Sequence, residues 1–138
     1  MTAETPERLR FVRFRGSAGG RLIPLAAVVE VIPMVRLRSS EQGGNPRYCG
    51  LLHFRGRVVP VFDLVDGRRS GLHNPDHFLV VTRGQAGERA IVAHEVEDIV
   101  EVEARACSEL DVGGSYPVSV VDLNGALLEV VDPDRLTQ

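Results

Sequence analysis

Gly50-Leu-Leu-His-Phe-Arg-Gly-Arg-Val-Val-Pro-Val-Phe-Asp-Leu64 is the stretch on which the reading of this chain turns. Two apolar, strand-like runs, Leu51–Phe54 and Val58–Leu64, flank a two-residue Arg55-Gly56 turn. Gly at such a turn supplies a backbone conformation that other residues enter only at a cost. Arms this apolar imply burial on both faces, which leaves the tip to meet something else. That tip carries a permanent charge, Arg55, with a second cation, Arg57, directly behind it.

Outward from the hairpin the pattern stays β. Val and Ile recur in short runs punctuated by Gly, Pro, Asn and Asp, which marks short strands and turns. The runs predict strands over Leu9–Arg15, Arg21–Pro24, Val28–Met34, Leu51–Phe54, Val58–Leu64, His77–Thr82, Arg89–Ala93, Ile99–Glu103, Ser119–Leu123 and Ala126–Val131. Short helical turns are expected at Leu25–Val28, Ala93–Val96 and Ser108–Leu110. Gly43–Pro46 reads as a loop, Asp66–Pro75 as the main connector and Met1–Glu7 as a polar tail. Pro133–Gln138 reads as an end with little room for a helix.

Composition narrows the function classes. At 138 residues the chain is one domain, or two very small units sharing a core, and it buries roughly two-thirds of its unfolded surface. A net charge of -3 argues against nucleic acid or an anionic membrane recruited by bulk charge. Aromatic residues make up 5% and Trp is absent, so no base-stacking platform is expected. Nothing in the spacing of Cys49 and Cys107 demands that they pair. With no basic-then-apolar leader and no apolar run near ~20 residues, the expectation is a soluble, cytoplasmic protein without direct membrane insertion.

An internal repeat runs through the chain. Arg15-Gly16, Arg21-Leu-Ile-Pro-Leu and Val28-Val-Glu-Val-Ile32 recur, at an offset of 68, as Arg83-Gly84, Arg89-Ala-Ile-Val-Ala and Val96-Glu-Asp-Ile-Val100. The opening hairpin, Leu51 to Asp63, lies over Val120-Val-Asp-Leu-Asn-Gly-Ala-Leu-Leu-Glu-Val-Val-Asp132 at an offset of 69. Two copies of one five-stranded unit are therefore expected, the first over about residues 9–66 and the second over about 75–136, with exchange of strands between them open. Units of ~60 residues are marginal alone and should pack against each other, creating a seam whose mouth suits a partner.

Four segments, together spanning about residues 9 to 136, resemble the CheW-like family, the coupling proteins of bacterial chemosensory arrays. They are Phe11-Val-Arg-Phe with Leu22-Ile-Pro-Leu-Ala-Ala-Val-Val-Glu-Val-Ile32, the Gly50–Leu64 hairpin, Ala90-Ile-Val-Ala-His-Glu-Val-Glu-Asp-Ile-Val100, and Leu123-Asn-Gly-Ala-Leu-Leu-Glu-Val-Val-Asp-Pro-Asp-Arg-Leu136. The hairpin is the specific part of the match. The resemblance implies a mainly β fold of two five-stranded, SH3-like β-barrels with an apolar core between them, and no enzymatic activity or cofactor. It implies a scaffold that joins the cytoplasmic tip of a methyl-accepting chemoreceptor to the regulatory domain of a CheA-type histidine kinase.

Carried onto this sequence, Arg55 and Gly56 match the family's Arg-Gly turn, Gly50 its preceding Gly, and Val28 and Glu30 its partner-facing third strand. Val31 belongs with Val28 to core or groove, which sequence does not separate. The partner-binding candidates are thus Arg55, Gly56, Gly50, Val28, Glu30 and Val31. Beside this stand plainer readings: Arg55 as a solvated turn charge, worth little, Glu30 as edge-strand solubility, and the glycines as backbone requirements. The planar fork of Arg favours the contact reading. The chain departs from the family at His53-Phe54, where Asn-Leu is usual, at His94, where an acid is usual, and in its short Glu103–Pro117 stretch and missing terminal helix. These departures leave room for a specialised adaptor of a non-chemotaxis array.

Other chemistries are weaker. His73-Asn-Pro-Asp-His77 has a spacing seen in zinc sites, but no paired Cys lies nearby in sequence. A metal- or ligand-binding module at the inter-barrel seam is the alternative this leaves. Cys49 and His53 invite a thiol–imidazole pair, yet an extended strand sets residues four apart about 13 Å from each other, and no third group orients the His. The Gly-rich Arg15–Gly20 and Arg83–Gly87 segments read as hairpin loops rather than phosphate cradles.

Overall fold

The short apolar runs become strands in the computed structural model, which describes residues 7–16, 19–38, 45–64, 74–111, 113 and 118–137. The first half of the chain supplies β1 (Arg8–Gly16), β2 (Gly19–Pro24), β3 (Val28–Pro33), β4 (Tyr48–Phe54) and β5 (Arg57–Phe62). The second supplies β6 (Phe78–Gly84), β7 (Gly87–Ala93), β8 (Glu95–Glu103), β9 (Cys107–Leu110), β10 (Val118–Leu123) and β11 (Ala126–Val130). They form a six-stranded sheet ordered β8-β1-β2-β11-β10-β9 and a five-stranded sheet ordered β3-β6-β7-β5-β4. The fold is mainly β, as the sequence predicts. The expected Asp66–Pro75 connector lies largely outside the described residues, as do Gly43 and Gly44 of the expected loop, His73 and most of the Met1–Glu7 tail.

Two expected helical turns are corrected. Ser108–Leu110 belongs to β9, which pairs antiparallel with β10 from Cys107 opposite Val121 to Leu110 opposite Val118; the ladder satisfies backbone groups that an isolated turn would leave to solvent. Ala93–Val96 is where the chain passes between sheets. The His94 N–H donates to the Arg15 carbonyl at 2.7 Å, and β8 starts at Glu95 opposite Arg15, ahead of the expected Ile99. Leu25–Ala27 does form a 3-10 turn, and others occupy Ala104–Ala106 and Pro133–Arg135.

Strands from both halves enter both sheets, and the exchange is reciprocal. β3 leaves the first half to pair with β6, and β8 leaves the second half to pair with β1. β5 runs parallel to β7, with Val61 opposite Ala90, and β11 runs parallel to β2, with Val130 opposite Leu22. These are the same positions in the two repeats. Even the irregularities repeat: the register slips once between Val28 and Glu30 against β6, and once between Arg13 and Phe14 against β8, leaving Val29 and Glu97 as the extra residues at equivalent positions.

Three apolar cores follow. Leu52, Phe54, Val59, Val61, Leu79 and Val81 fill the five-stranded sheet, while Phe11, Leu22, Val102 and Val121 fill the six-stranded one. Between the sheets, one cluster holds the repeat-related residues Val12 and Val80, Ile23 and Ile91, and Phe62 and Val131, together with Phe14 and Leu136. The end of the chain then braces the assembly. Asp134 accepts the backbone N–H groups of Gln85 (3.1 Å) and Ala86 (2.8 Å) in the β6–β7 turn, and Arg89 Nε donates to the Leu136 carbonyl at 2.8 Å. No helix among the described residues is long and apolar enough to cross a membrane.

Candidate partner-binding site

The Arg55-Gly56 turn has both central residues at positive φ, 49° and 77°, as a two-residue hairpin whose twist matches its strands requires. The second copy of the hairpin does the same with Asn124 at 54° and Gly125 at 89°. Asn tolerates this region because its short polar side chain suits local bonding. Arg55 has no such excuse, so the first hairpin holds a long cation in a conformation that costs free energy.

The side chain of Arg55 reaches back over the mouth of the five-stranded sheet. Its guanidinium carbon sits 5.0 Å from the centroid of the Phe54 ring, and Nη2 donates to Glu30 Oε1 at 2.8 Å. Since Glu30 lies on β3 and Arg55 directly follows β4, the ion pair joins the two ends of the sheet order and shows how far the sheet curls. Both side chains remain open to solvent, 61% for Arg55 and 37% for Glu30, so the pair itself adds little stability. Its worth is an exposed, oriented fork beside an acid.

A second ionic group continues the same surface. Arg57 also packs over the Phe54 ring, 5.8 Å from its centroid, and its Nη2 donates to Glu88 Oε2 at 3.0 Å. Arg83 reaches the same Glu88 oxygen at 3.2 Å. Desolvation opposes the charge on Glu88, but the hydrogen bonds from Arg57 and Arg83 outweigh it and hold its pKa below the usual carboxylate value. Arg57, Arg83 and Glu88 extend the charged surface beside the tip; the sequence reading named Arg57 but neither Arg83 nor Glu88 as part of it. Arg57 stood beside the turn, but only the parallel pairing of β5 with β7 brings it against Glu88.

The candidates divide by location. Arg55, Gly56 and Glu30 come together at the hairpin tip. Val31 is 37% exposed on the outer strand β3, whereas Val28 packs against the core between the sheets. Gly50 is buried at φ 145°, and a Cβ there would lie 2.6 Å from the Arg38 carbonyl oxygen. This close approach lets Arg38 and Leu51 exchange backbone bonds of 2.8 and 2.9 Å, so Gly50 shapes the hairpin from within instead of presenting a surface.

Two further concavities lie on the six-stranded side. An open, apolar hollow of about 300 Å³ is bounded by Leu9, Phe11, Cys107 and Val120. A smaller one of about 110 Å³, lined in part by Arg47, Leu64 and Asp132, lies beside it, and Ser119 and Val130 border both. Burial, and then the charge of Asp63, pushes the Cys49 thiol up to about 12, and burial raises Cys107, both away from the reactive thiolate form. The two side chains Cys49 and His53 have different partners: Cys49 Sγ donates to the Arg47 carbonyl at 3.4 Å, and His53 Nε2 sits 3.0 Å from Arg38 Nη1. His77 stacks on His94, with ring centroids 3.9 Å apart. Among the described residues, no cluster of three or more metal-ligating side chains is found.

Comparison with known proteins fits this geometry. No curated protein matches by sequence. Among solved structures, the scaffolding protein TtCheW from Thermoanaerobacter tengcongensis is similar in fold, with a TM-score of 0.75 at 13% sequence identity, covering 96% of this chain and 89% of that one. The CheW-like domain matches residues 10–138. The chain belongs to the CheW-like domain family.

Proposed function

We propose that this protein is a non-catalytic adaptor of chemosensory signal transduction, joining the cytoplasmic tip of a methyl-accepting chemoreceptor to the regulatory domain of a CheA-type histidine kinase. Family membership supports the scaffold role. The single observation that carries the contact assignment is Arg55: a cation held at φ 49° at an exposed tip, where the repeat-related position has Asn124. A cation held at a conformational cost on an exposed tip, outside the core, is placed to serve an intermolecular contact. In this reading Arg55, with Glu30 orienting it, faces the kinase regulatory domain, and the apolar hollow beside Phe11 and Val120 takes the apolar face of the receptor helix. The adaptor then works in the cytoplasm at receptor arrays.

Titration calorimetry of the purified kinase regulatory domain against Arg55→Asp tests the assignment. The variant is expected to bind at least about tenfold more weakly than wild type, with a thermal transition no lower than wild type, since Asp tolerates the left-handed region. Undiminished binding by a folded Arg55→Asp protein would remove the hairpin tip from the interface. A pull-down from the source cytoplasm tests the class, and recovery of neither a histidine kinase nor a chemoreceptor counts against it.

A further inference from the structure

The two copies of the hairpin differ in the residues around their turns. Where the first has Phe54, Arg55, Arg57 and Glu88, the second, at the offsets of 69 and 68, has Leu123, Asn124, Ala126 and Gly20. Both build the same ladder, with Phe54 opposite Arg57 and Leu123 opposite Ala126. Both also use the residue before the turn as apolar filling, Phe54 in the five-stranded sheet and Leu123 in the six-stranded one. The fold therefore asks only for an apolar side chain at this position, and Leu meets that need. The aromatic ring occurs in the copy whose turn is cationic. Phe54 is 6% exposed, so its ring is fixed by the core. The guanidinium carbons of Arg55 and Arg57 lie 5.0 and 5.8 Å from its centroid, within the range at which the ring quadrupole attracts a cation.

The two forks differ in what their acids leave over. Arg57 is held bidentately by Glu88, Nε to Oε1 at 2.5 Å and Nη2 to Oε2 at 3.0 Å. Arg55 gives Glu30 a single N–H at 2.8 Å. One exposed ion pair is a weak restraint on a long side chain with many rotamers, and the buried ring adds a second restraint that does not itself move. We propose that Phe54 is the positioning residue of the partner contact: it holds the Arg55 guanidinium in place, so that the N–H groups Glu30 leaves over meet an acceptor on the kinase regulatory domain with little further loss of side-chain freedom. This rests on the reading of Arg55 as a contact of the adaptor. The second copy, with Leu123 and Asn124, has neither the platform nor the fork.

A double-mutant cycle on the full chain tests it, by calorimetry against the purified kinase regulatory domain well below the thermal transition of each variant. Phe54→Leu, which installs the residue type of the second copy, is expected to weaken binding about fourfold. The same substitution is expected to change nothing once Arg55→Ala is present, because the ring acts only through the guanidinium. A second readout needs no partner: the Arg55 Hδ and Hε resonances should lie upfield in the wild type, shifted by the Phe54 ring current, and return to ordinary values in Phe54→Leu. Wild-type affinity in Phe54→Leu, an equal loss in the Arg55→Ala background, or ordinary Arg55 shifts in the wild type would each overturn the positioning role and leave the Arg55 contact standing. Unchanged affinity in Arg55→Ala alone would remove the contact itself, and the role of Phe54 with it.

Discussion

Arg55 and Asn124 form a natural experiment within one molecule, since the same turn is built twice with different side chains at φ 49° and 54°. Replacing Arg55 with Asn should relieve the left-handed strain and stabilise the fold by about 1 kcal/mol, measured as a higher urea midpoint at unchanged slope. The same change removes the fork that meets Glu30, so stability and partner affinity should move in opposite directions. Gly50 answers to the opposite logic. Gly50→Ala drives a Cβ to 2.6 Å from the Arg38 carbonyl at a φ of 145° and should cost about 2 kcal/mol, with partner affinity per folded molecule preserved. The charged turn and its glycines were legible in the sequence. That Gly50 is an internal spacer was not, because the clash is with Arg38, on a segment whose return to β4 no local pattern announces.

Among elements, the chain end shows how a few residues hold distant parts together. Asp134 lies in the 3-10 turn Pro133–Arg135 yet satisfies two amides of the β6–β7 turn. Those amide bonds, to Ala86 and then to Gln85, hold the Asp134 pKa below its ordinary 3.8, and Glu88 lies below its ordinary 4.5. A carboxylate whose folded pKa is depressed binds fewer protons in the folded than in the unfolded state. Its stabilisation is therefore complete above the ordinary value and lost as pH falls through the lowered one. Unfolding midpoints should accordingly drop on acidification below pH 4.5, and Asp134→Asn should flatten the lower part of that drop. Hydrogen exchange gives a local check: in Asp134→Ala the amides of Gln85 and Ala86 should exchange much faster, and those of the Asn124-Gly125 turn should not. At this scale the strands were legible from their apolar runs. β9 and the early start of β8 were not, because both depend on a partner strand to satisfy backbone groups that local sequence left ambiguous.

For the whole molecule, reciprocal exchange leads to the expectation that the two halves unfold as one cooperative unit. Residues 1–66 lack β6 and β7, the neighbours on which β3 and β5 depend, and residues 75–138 lack β1 and β2. Neither half expressed alone is expected to give a dispersed amide spectrum, whereas mixing them should restore it. Ile23→Ala and Ile91→Ala, repeat-related in the core between the sheets, should each cost about 3 kcal/mol and shift a single unfolding transition seen identically by near- and far-ultraviolet dichroism. The sequence by itself determined the β class, the duplication and the hairpin with its charged tip, because strand alternation, turn glycines and repeat spacing are local or nearly local signals. Only the tertiary structure decided which strands pair across the repeat, and hence that Arg55 meets Glu30, that Arg57 and Arg83 share Glu88, and that Gly50 is buried. Those outcomes rest on pairings between residues far apart in the chain. Many strands of similar apolar character could satisfy them locally, and only the packing of the shared core selects among them.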